Sequence, residues 1–266
     1  MKILDSTGKE KGTIELPIQF KEEIRKDLIK RAVEVIQANK MQPFGSKPDA
    51  GLRASAELSR RRHDYRGSYG HGISRVPRKI LSRNGTRMNW VAAVVPGTVG
   101  GRKAHPAKAK KILSKSLNTQ ERKKAIRSAL SATLKKEVVK ERGHIIPESY
   151  PFIIDNNIEK TEKTKDIKKI LETFGFKEEL KRTSVKKIKA GKGKIRGRKY
   201  NKKKGILLVV SKDCKLLKSA NNLPGIDLVK INNINCELLA PGKIPGRATL
   251  FTEDSIKKLK EEKLFI

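Results

Sequence analysis

The chain has 266 residues and carries 63 Lys and Arg against 28 Asp and Glu, a formal net charge of +35, while only 36% of it is hydrophobic and 5% aromatic. That balance favours one moderate core with long solvated or partner-bound segments over two full domains. A surplus of this size repels itself unless a polyanion neutralises it, and no strongly amphipathic basic helix suits a membrane surface, so nucleic acid is the expected partner class.

Two cysteines, Cys214 and Cys236, lack C-x-x-C spacing. They give no disulfide framework and no cysteine zinc finger, and they suit a reducing compartment. Asp5 and Glu10 stand where a secretory leader needs an apolar run, and the longest apolar runs, residues 90–95 and 206–210, are too short to span a bilayer.

In chain order, residues 1–16 predict a short hairpin, with Ile3-Leu4 and Thr13-Ile14-Glu15-Leu16 flanking a turn at Ser6-Thr7-Gly8. Pro17 suits the start of a helix reaching about Asn39, since Phe20, Ile24, Leu28, Ala32 and Ile36 recur every four residues. Glu22 and Lys26 are expected to pair on its outer face. Residues 43–111 then show no helical or strand period. They hold 16 Lys and Arg against 3 Asp and Glu, and 9 of the 20 glycines. A structureless run this long is functional or disordered. Arginine outnumbers lysine within it, and single aromatics (Phe44, Tyr65, Tyr69, Trp90) lie between the arginines. Guanidinium groups match phosphate, aromatic rings stack on bases, and glycine lets backbone approach another surface. The stretch reads as an inserted basic arm that orders against folded RNA, reversing once near residues 73–77. Asn84-Gly85-Thr86 matches a glycosylation sequon, which carries no weight without secretion.

Asn118, with Glu121 three residues on, signals a helix N-terminus, and Ile126, Leu130, Leu134 and Val138 predict one long helix that Gly143 ends. The second half alternates: strand 150–154, helix 165–174 stopped by Gly175, strand 206–210, short helix 213–220, strand 226–229, a last strand at 247–251, and a final helix after Thr252. The segment 181–204 holds 13 Lys and Arg and no acid, a second basic segment expected as a loop or extended helix at one end of the sheet. The expected fold class is α/β: a three-layer, mainly parallel sheet flanked by helices, forming a single domain over 1–266, with the extended non-globular loop 43–111 inserted after the first helix.

Sites for chemistry are lacking. Gly70-His71-Gly72 and Gly191-Lys192-Gly193 never reach the third glycine of a dinucleotide fingerprint. There is no Walker A sequence and no Gly-x-Ser-x-Gly elbow. His63, His71, His105 and His144 have no metal-ligand spacing, and His144 is expected to cap or pack after the second helix. No cofactor, no metal and no catalytic residue is expected. Two other readings stay open: an α/β RNA-modifying enzyme with a basic extension, and a DNA-compacting chromatin protein. The first needs a cofactor pocket at the carboxyl ends of the strands.

Three strings in the arm, QPFGSKPDAG (42–51), ELSRRRHDYRGSYGHGISRVPRK (57–79) and VVPGTVGGRKAHPAK (94–108), resemble the archaeal-type ribosomal large-subunit protein L-four family. KIKAGKGKIRGRKYNKKKGILLVVS (187–211), NNLPGIDLV (221–229) and ELLAPG (237–242) match it too. The resemblance implies a structural protein of the large ribosomal subunit in the cytoplasm. Its partners would be large-subunit rRNA, neighbouring ribosomal proteins and the nascent polypeptide, with no membrane and no homo-oligomer. It further implies a loop that runs into rRNA and lines part of the polypeptide exit tunnel.

On this reading the phosphate-binding candidates are Arg53, Arg60, Arg61, Arg62, Arg66, Arg75, Arg78, Lys79, Arg83, Arg87, Arg102, Lys103 and Lys108 in the arm. In the second segment they are Lys192, Lys194, Arg196, Arg198 and Lys199. Phe44, Tyr65, Tyr69, His71 and Trp90 are the stacking candidates. Tyr69, Gly70, His71, Gly72, Ile73, Ser74 and Arg75 are the tunnel-lining candidates.

Overall fold

The structure, a computed structural model, describes residues 1–266. Its strands are β1 (Lys2–Leu4), β2 (Glu10–Thr13), β3 (Arg78–Asn84), β4 (Arg87–Ala92), β5 (Ile153–Ile154), β6 (Lys186–Ile188), β7 (Tyr200–Lys202), β8 (Leu207–Val210), β9 (Asp227–Lys230) and β10 (Thr249–Thr252). Its helices are α1 (Lys26–Asn39), α2 (Thr119–Leu134), α3 (Lys136–Glu141), α4 (Thr164–Thr173), α5 (Lys177–Ser184), α6 (Leu216–Ala220), α7 (Cys236–Leu239) and α8 (Glu253–Glu261). The chain divides into two compact units, one of Met1–Lys40 with Lys115–Ile266, the other of Met41–Ser114.

The first unit is an α/β fold on a six-stranded sheet ordered β2-β1-β5-β10-β8-β9. All neighbours run parallel except the edge pair β1–β2. Successive strand residues face opposite ways. Ile3, Ile153, Leu207, Val209 and Phe251 pack into one cluster with Ile29 and Val33 of α1, Ala125, Ile126, Ala129 and Leu130 of α2, and Ile256 and Leu259 of α8. Leu4, Ile154, Leu208, Val210 and Leu250 pack into the other with Ile167 and Leu171 of α4 and Leu216 and Ala220 of α6. Strands buried on both faces explain the unbroken apolar runs, and helices over both faces make three layers. Asn118 caps α2, its side chain accepting from the Gln120 N–H at 3.2 Å.

Four local expectations are corrected. The first helix does not run from Pro17: a 3-10 turn at Ile18–Phe20 precedes α1, and Arg25 before it is extended. Phe20 turns inward to meet Phe251 edge-on, ring centroids 5.3 Å apart. Glu22 therefore does not pair with Lys26 but accepts from Arg127 Nε at 2.8 Å. The second helix breaks at Lys135, whose ψ of 109° is extended. Near the break, the Tyr150 hydroxyl holds the Thr133 carbonyl and Thr133 Oγ1 donates to the Leu130 carbonyl. Finally, 181–204 is neither a loop nor a helix throughout. It leaves α5 and folds into the β6–β7 hairpin, with a 3-10 turn at Lys192–Lys194.

Candidate nucleic-acid interface

The unit Met41–Ser114 is built mainly by its backbone. Ser46 N–H donates to the Ala107 carbonyl at 3.0 Å, Arg102 N–H to the Val94 carbonyl at 3.1 Å, and Arg78 N–H to the Glu57 carbonyl at 3.2 Å. Two glycines let the outgoing and returning runs touch. A Cβ on Gly51, at φ +84°, would sit 2.4 Å from Arg102 N, and one on Gly45 would sit 2.4 Å from Ala109 N. Few side chains are buried here, among them Ser68 and Ala93.

The expectation of no strand period in 43–111 is corrected by β3–β4, an antiparallel hairpin in which Ile80 faces Trp90 and Asn84 faces Arg87. Its turn is Asn84-Gly85-Thr86, with Gly85 at φ +57°. The two-residue loop is Gly85-Thr86, and glycine at positive φ in the first loop position suits a tight hairpin. Nor is there one reversal near residues 73–77. The segment turns once around Gly70 and Gly72, both at positive φ, and again at Gly85.

The candidate cations stand on the surface. Arg78 and Lys79 are half-buried, and the other sixteen, from Arg53 to Lys199, are exposed. Acid compensation in the unit Met41–Ser114 is one ion pair, Arg66 with Glu57 at 3.0 Å. Three aromatic candidates carry a guanidinium on one ring face: Arg75 lies 4.6 Å from the Tyr69 centroid, Arg83 5.1 Å from Tyr65, and Arg78 5.5 Å from Trp90. Each pair fixes a planar cation beside a π-face, and guanidinium and aromatic planes are the kinds of group on which bases stack. The Phe44 ring, 61% exposed, forms part of two clefts of about 630 and 580 Å³. His71 is exposed beside the Gly70–Gly72 turn.

The second basic segment exposes all six residues of β6 and β7. Lys186 faces Lys202 across the ladder, and Ile188 faces Tyr200. Like charges directly opposite destabilise a strand pair, and a two-stranded hairpin with no buried face is marginal in water. Lys192, Lys194, Arg196, Arg198 and Lys199 occupy its far end, with Lys199 5.6 Å from the Tyr200 ring. Tyr200 escaped the sequence reading because one aromatic in a lysine run has no periodicity to betray it.

Elsewhere the polar chemistry is structural. His144 packs after the second helix, one of its two expected roles. It is buried, with Nδ1 2.7 Å from Glu179 Oε1. Glu179, also fully buried, accepts from Arg182 Nε at 2.7 Å and from the Ile145 N–H at 3.0 Å. Burial pushes its carboxyl up, but the bonds from Arg182, His144 and Ile145 outweigh that and hold it at about 2. At the carboxyl ends of β8 and β10, where an α/β enzyme keeps its pocket, Glu159 accepts from Ser211 N–H at 3.2 Å and Thr252 Oγ1 at 2.7 Å, bridging the strands.

The profile of the family described as Ribosomal protein L4/L1 family matches residues 14–262. The chain belongs to that family. It is 48% identical over 255 residues to the Large ribosomal subunit protein uL4 of Nanoarchaeum equitans, covering 96% of this chain and 95% of the relative. Proteins of the same name from Archaeoglobus fulgidus and Methanocaldococcus jannaschii are 41% and 42% identical over 261 residues, covering 98% and 97% of each chain compared. The resemblance carried by the arm and hairpin motifs is thus borne out. As a member of this family the chain is a structural ribosomal protein and not an enzyme.

Proposed function

We propose that the chain is a structural constituent of the large ribosomal subunit. It binds large-subunit rRNA through residues 43–111 and the β6–β7 hairpin, and it acts in translation and subunit assembly. The observation that carries this reading is uncompensated charge on unburied backbone: the arm's sixteen cations meet a single carboxylate ion pair. Phosphates supply the missing counter-charge and position the protein without reading sequence. Residues 69–75 line part of the exit tunnel, with Gly70 and Gly72 allowing a close approach and Arg75 and Tyr69 presenting one stacked surface. Neighbouring ribosomal proteins and the nascent polypeptide complete the partners, the site of action is the cytoplasmic ribosome, and neither membrane nor self-association enters.

Sedimentation of native lysate through a high-salt gradient tests the assignment. The protein is expected to travel with large subunits, and co-migration with DNA or with free protein at the top of the gradient overturns it. The tunnel assignment has its own test in cross-linking from a peptide stalled in the tunnel. Cross-links within residues 67–90 are expected, and cross-links confined to other residues overturn it.

A further inference from the structure

Apart from the phosphate-binding candidates, the α/β unit holds a pocket of about 360 Å³ walled by Arg142, His144, Arg182, Lys203, Lys204 and the 241–244 turn. Four of these side chains are cations, and two carboxylates lie near them. Glu179 is taken by Arg182 and His144, and Asp227 by Lys204 at 2.8 Å and Arg247 at 2.6 Å. Arg142 and Lys203 are left with no ion pair. The Arg142 guanidinium donates only to the backbone carbonyls of Pro241 and Ile244. It is half-buried at the end of α3, and burial together with Arg247 and Arg182 lowers it to about 10. Lys203, also lining the pocket, is exposed.

We propose that this pocket is a binding site for one backbone phosphate of RNA, held between the Arg142 guanidinium and the Lys203 ammonium. A concave site with two unpaired cations and partly desolvated walls favours a compact anion far more than an open lysine surface does. The guanidinium fork keeps N–H donors beyond those given to the two carbonyls, in a geometry that suits phosphate oxygens. The pocket also stands at the root of the β6–β7 hairpin: Arg182 lies in α5 just before β6, and Lys203 and Lys204 directly follow β7. The hairpin's row of cations therefore leads along the chain into the pocket, which favours an RNA strand over an acidic peptide as the source of the anion. The inference rests on the rRNA-binding reading above and adds an anchor on the folded unit.

The experiment is salt-dependent binding of a large-subunit rRNA fragment to the full chain and to Arg142→Gln, Lys203→Gln and the double variant. Lys9→Gln serves as a charge-matched control on a distant exposed turn. Each single variant is expected to weaken binding. The double variant is expected to lower the slope of log K against log salt by about one unit in total, because two cations share one phosphate. The Lys9→Gln variant is expected to leave the slope in place. A fall of two units in the double variant overturns the shared site. So does unchanged binding by the pocket variants while Lys192, Lys194, Arg196 and Arg198 changed together to Ala weaken it, and that outcome leaves the rRNA reading standing. Failure of the unaltered chain to bind the fragment defeats the rRNA reading itself. If Arg142→Gln does not fold, Lys203→Gln decides, since its side chain makes no contact that the fold needs. Wild-type affinity in Lys203→Gln then overturns the proposal.

Discussion

Glu179 shows how much one side chain can carry in a protein this basic. It lies in α5, fully buried, with Arg182, His144 and the Ile145 N–H all bonded to it. Removing one partner of a buried ion pair leaves the other uncompensated, so Glu179→Gln is expected to cost about 3–5 kcal/mol. Thermal unfolding of the variant checks this, and an unchanged midpoint would refute it. The same carboxyl sets a pH dependence. Its folded pKa of about 2 lies below the ordinary value of 4.5, so its contribution is fully present above about pH 4.5 and is lost as pH falls towards 2. Burial also lowers His144 from its usual 6.5, so below that pH the unfolded chain gains a proton before the folded one does, a loss of the same sign. Stability is expected to drop on acidification from about pH 6.5, and Glu179→Gln to flatten the portion between about pH 4.5 and 2. Equal slopes in the two proteins would show that the carboxyl is not held as described.

Among the elements, the β6–β7 hairpin is the least able to stand alone. Facing lysines and six exposed residues give it no buried face, so on its own it is marginal in water. Changing Lys192, Lys194, Arg196 and Arg198 to Ala is expected to weaken rRNA-fragment binding and to lower the salt slope by roughly one unit for each lost phosphate contact. Filter binding across a salt series measures it. An unaltered slope would make the segment a solvated face. The β3–β4 hairpin differs. Ile80 against Trp90 and a tight Gly85-Thr86 turn give it some order of its own, and its ladder amides are expected to exchange more slowly than those of residues 97–111. Uniform exchange across the arm would contradict this.

For the molecule as a whole, the insertion leaves and rejoins one folded unit. Lys115 N–H donates to Asn39 Oδ1 at 2.8 Å, so the points of departure and return are neighbours. Neither apolar cluster that packs the sheet draws a residue from Met41–Ser114. Replacing Met41–Ser114 with a short flexible linker is therefore expected to leave a cooperatively unfolding α/β protein, since loop length affects closure entropy only slowly. Loss of a cooperative thermal transition in that protein would show that the insertion supports the core. Placing 43–111 as a loop within one domain remains the reading we propose, and this experiment is its measure.

Composition, periodicity and charge determine much of this protein by themselves. Apolar runs with no polar alternation mean strands buried on both faces, hence helices on both sides and a parallel sheet, because the hydrophobic pattern is a local property of the chain. The same holds for the arm, where sixteen cations and almost no acid are legible residue by residue. What only the tertiary structure decides is which distant groups meet. Glu179 reads as one more glutamate in a charged helix until His144, 35 residues away, is found against it. Arg247 reads as a strand-edge cation until it proves fully buried, bonded to the Gly205 carbonyl and Asp227. Lys135 breaks a helix whose periodicity continues past it, near a carbonyl bound by Tyr150. Arg142 and Lys203 share a pocket only because α3 and the strand entry to β8 come together there. In each case the deciding term is a desolvated, directional contact between residues far apart in sequence, and neither propensity nor composition records which partner will supply it.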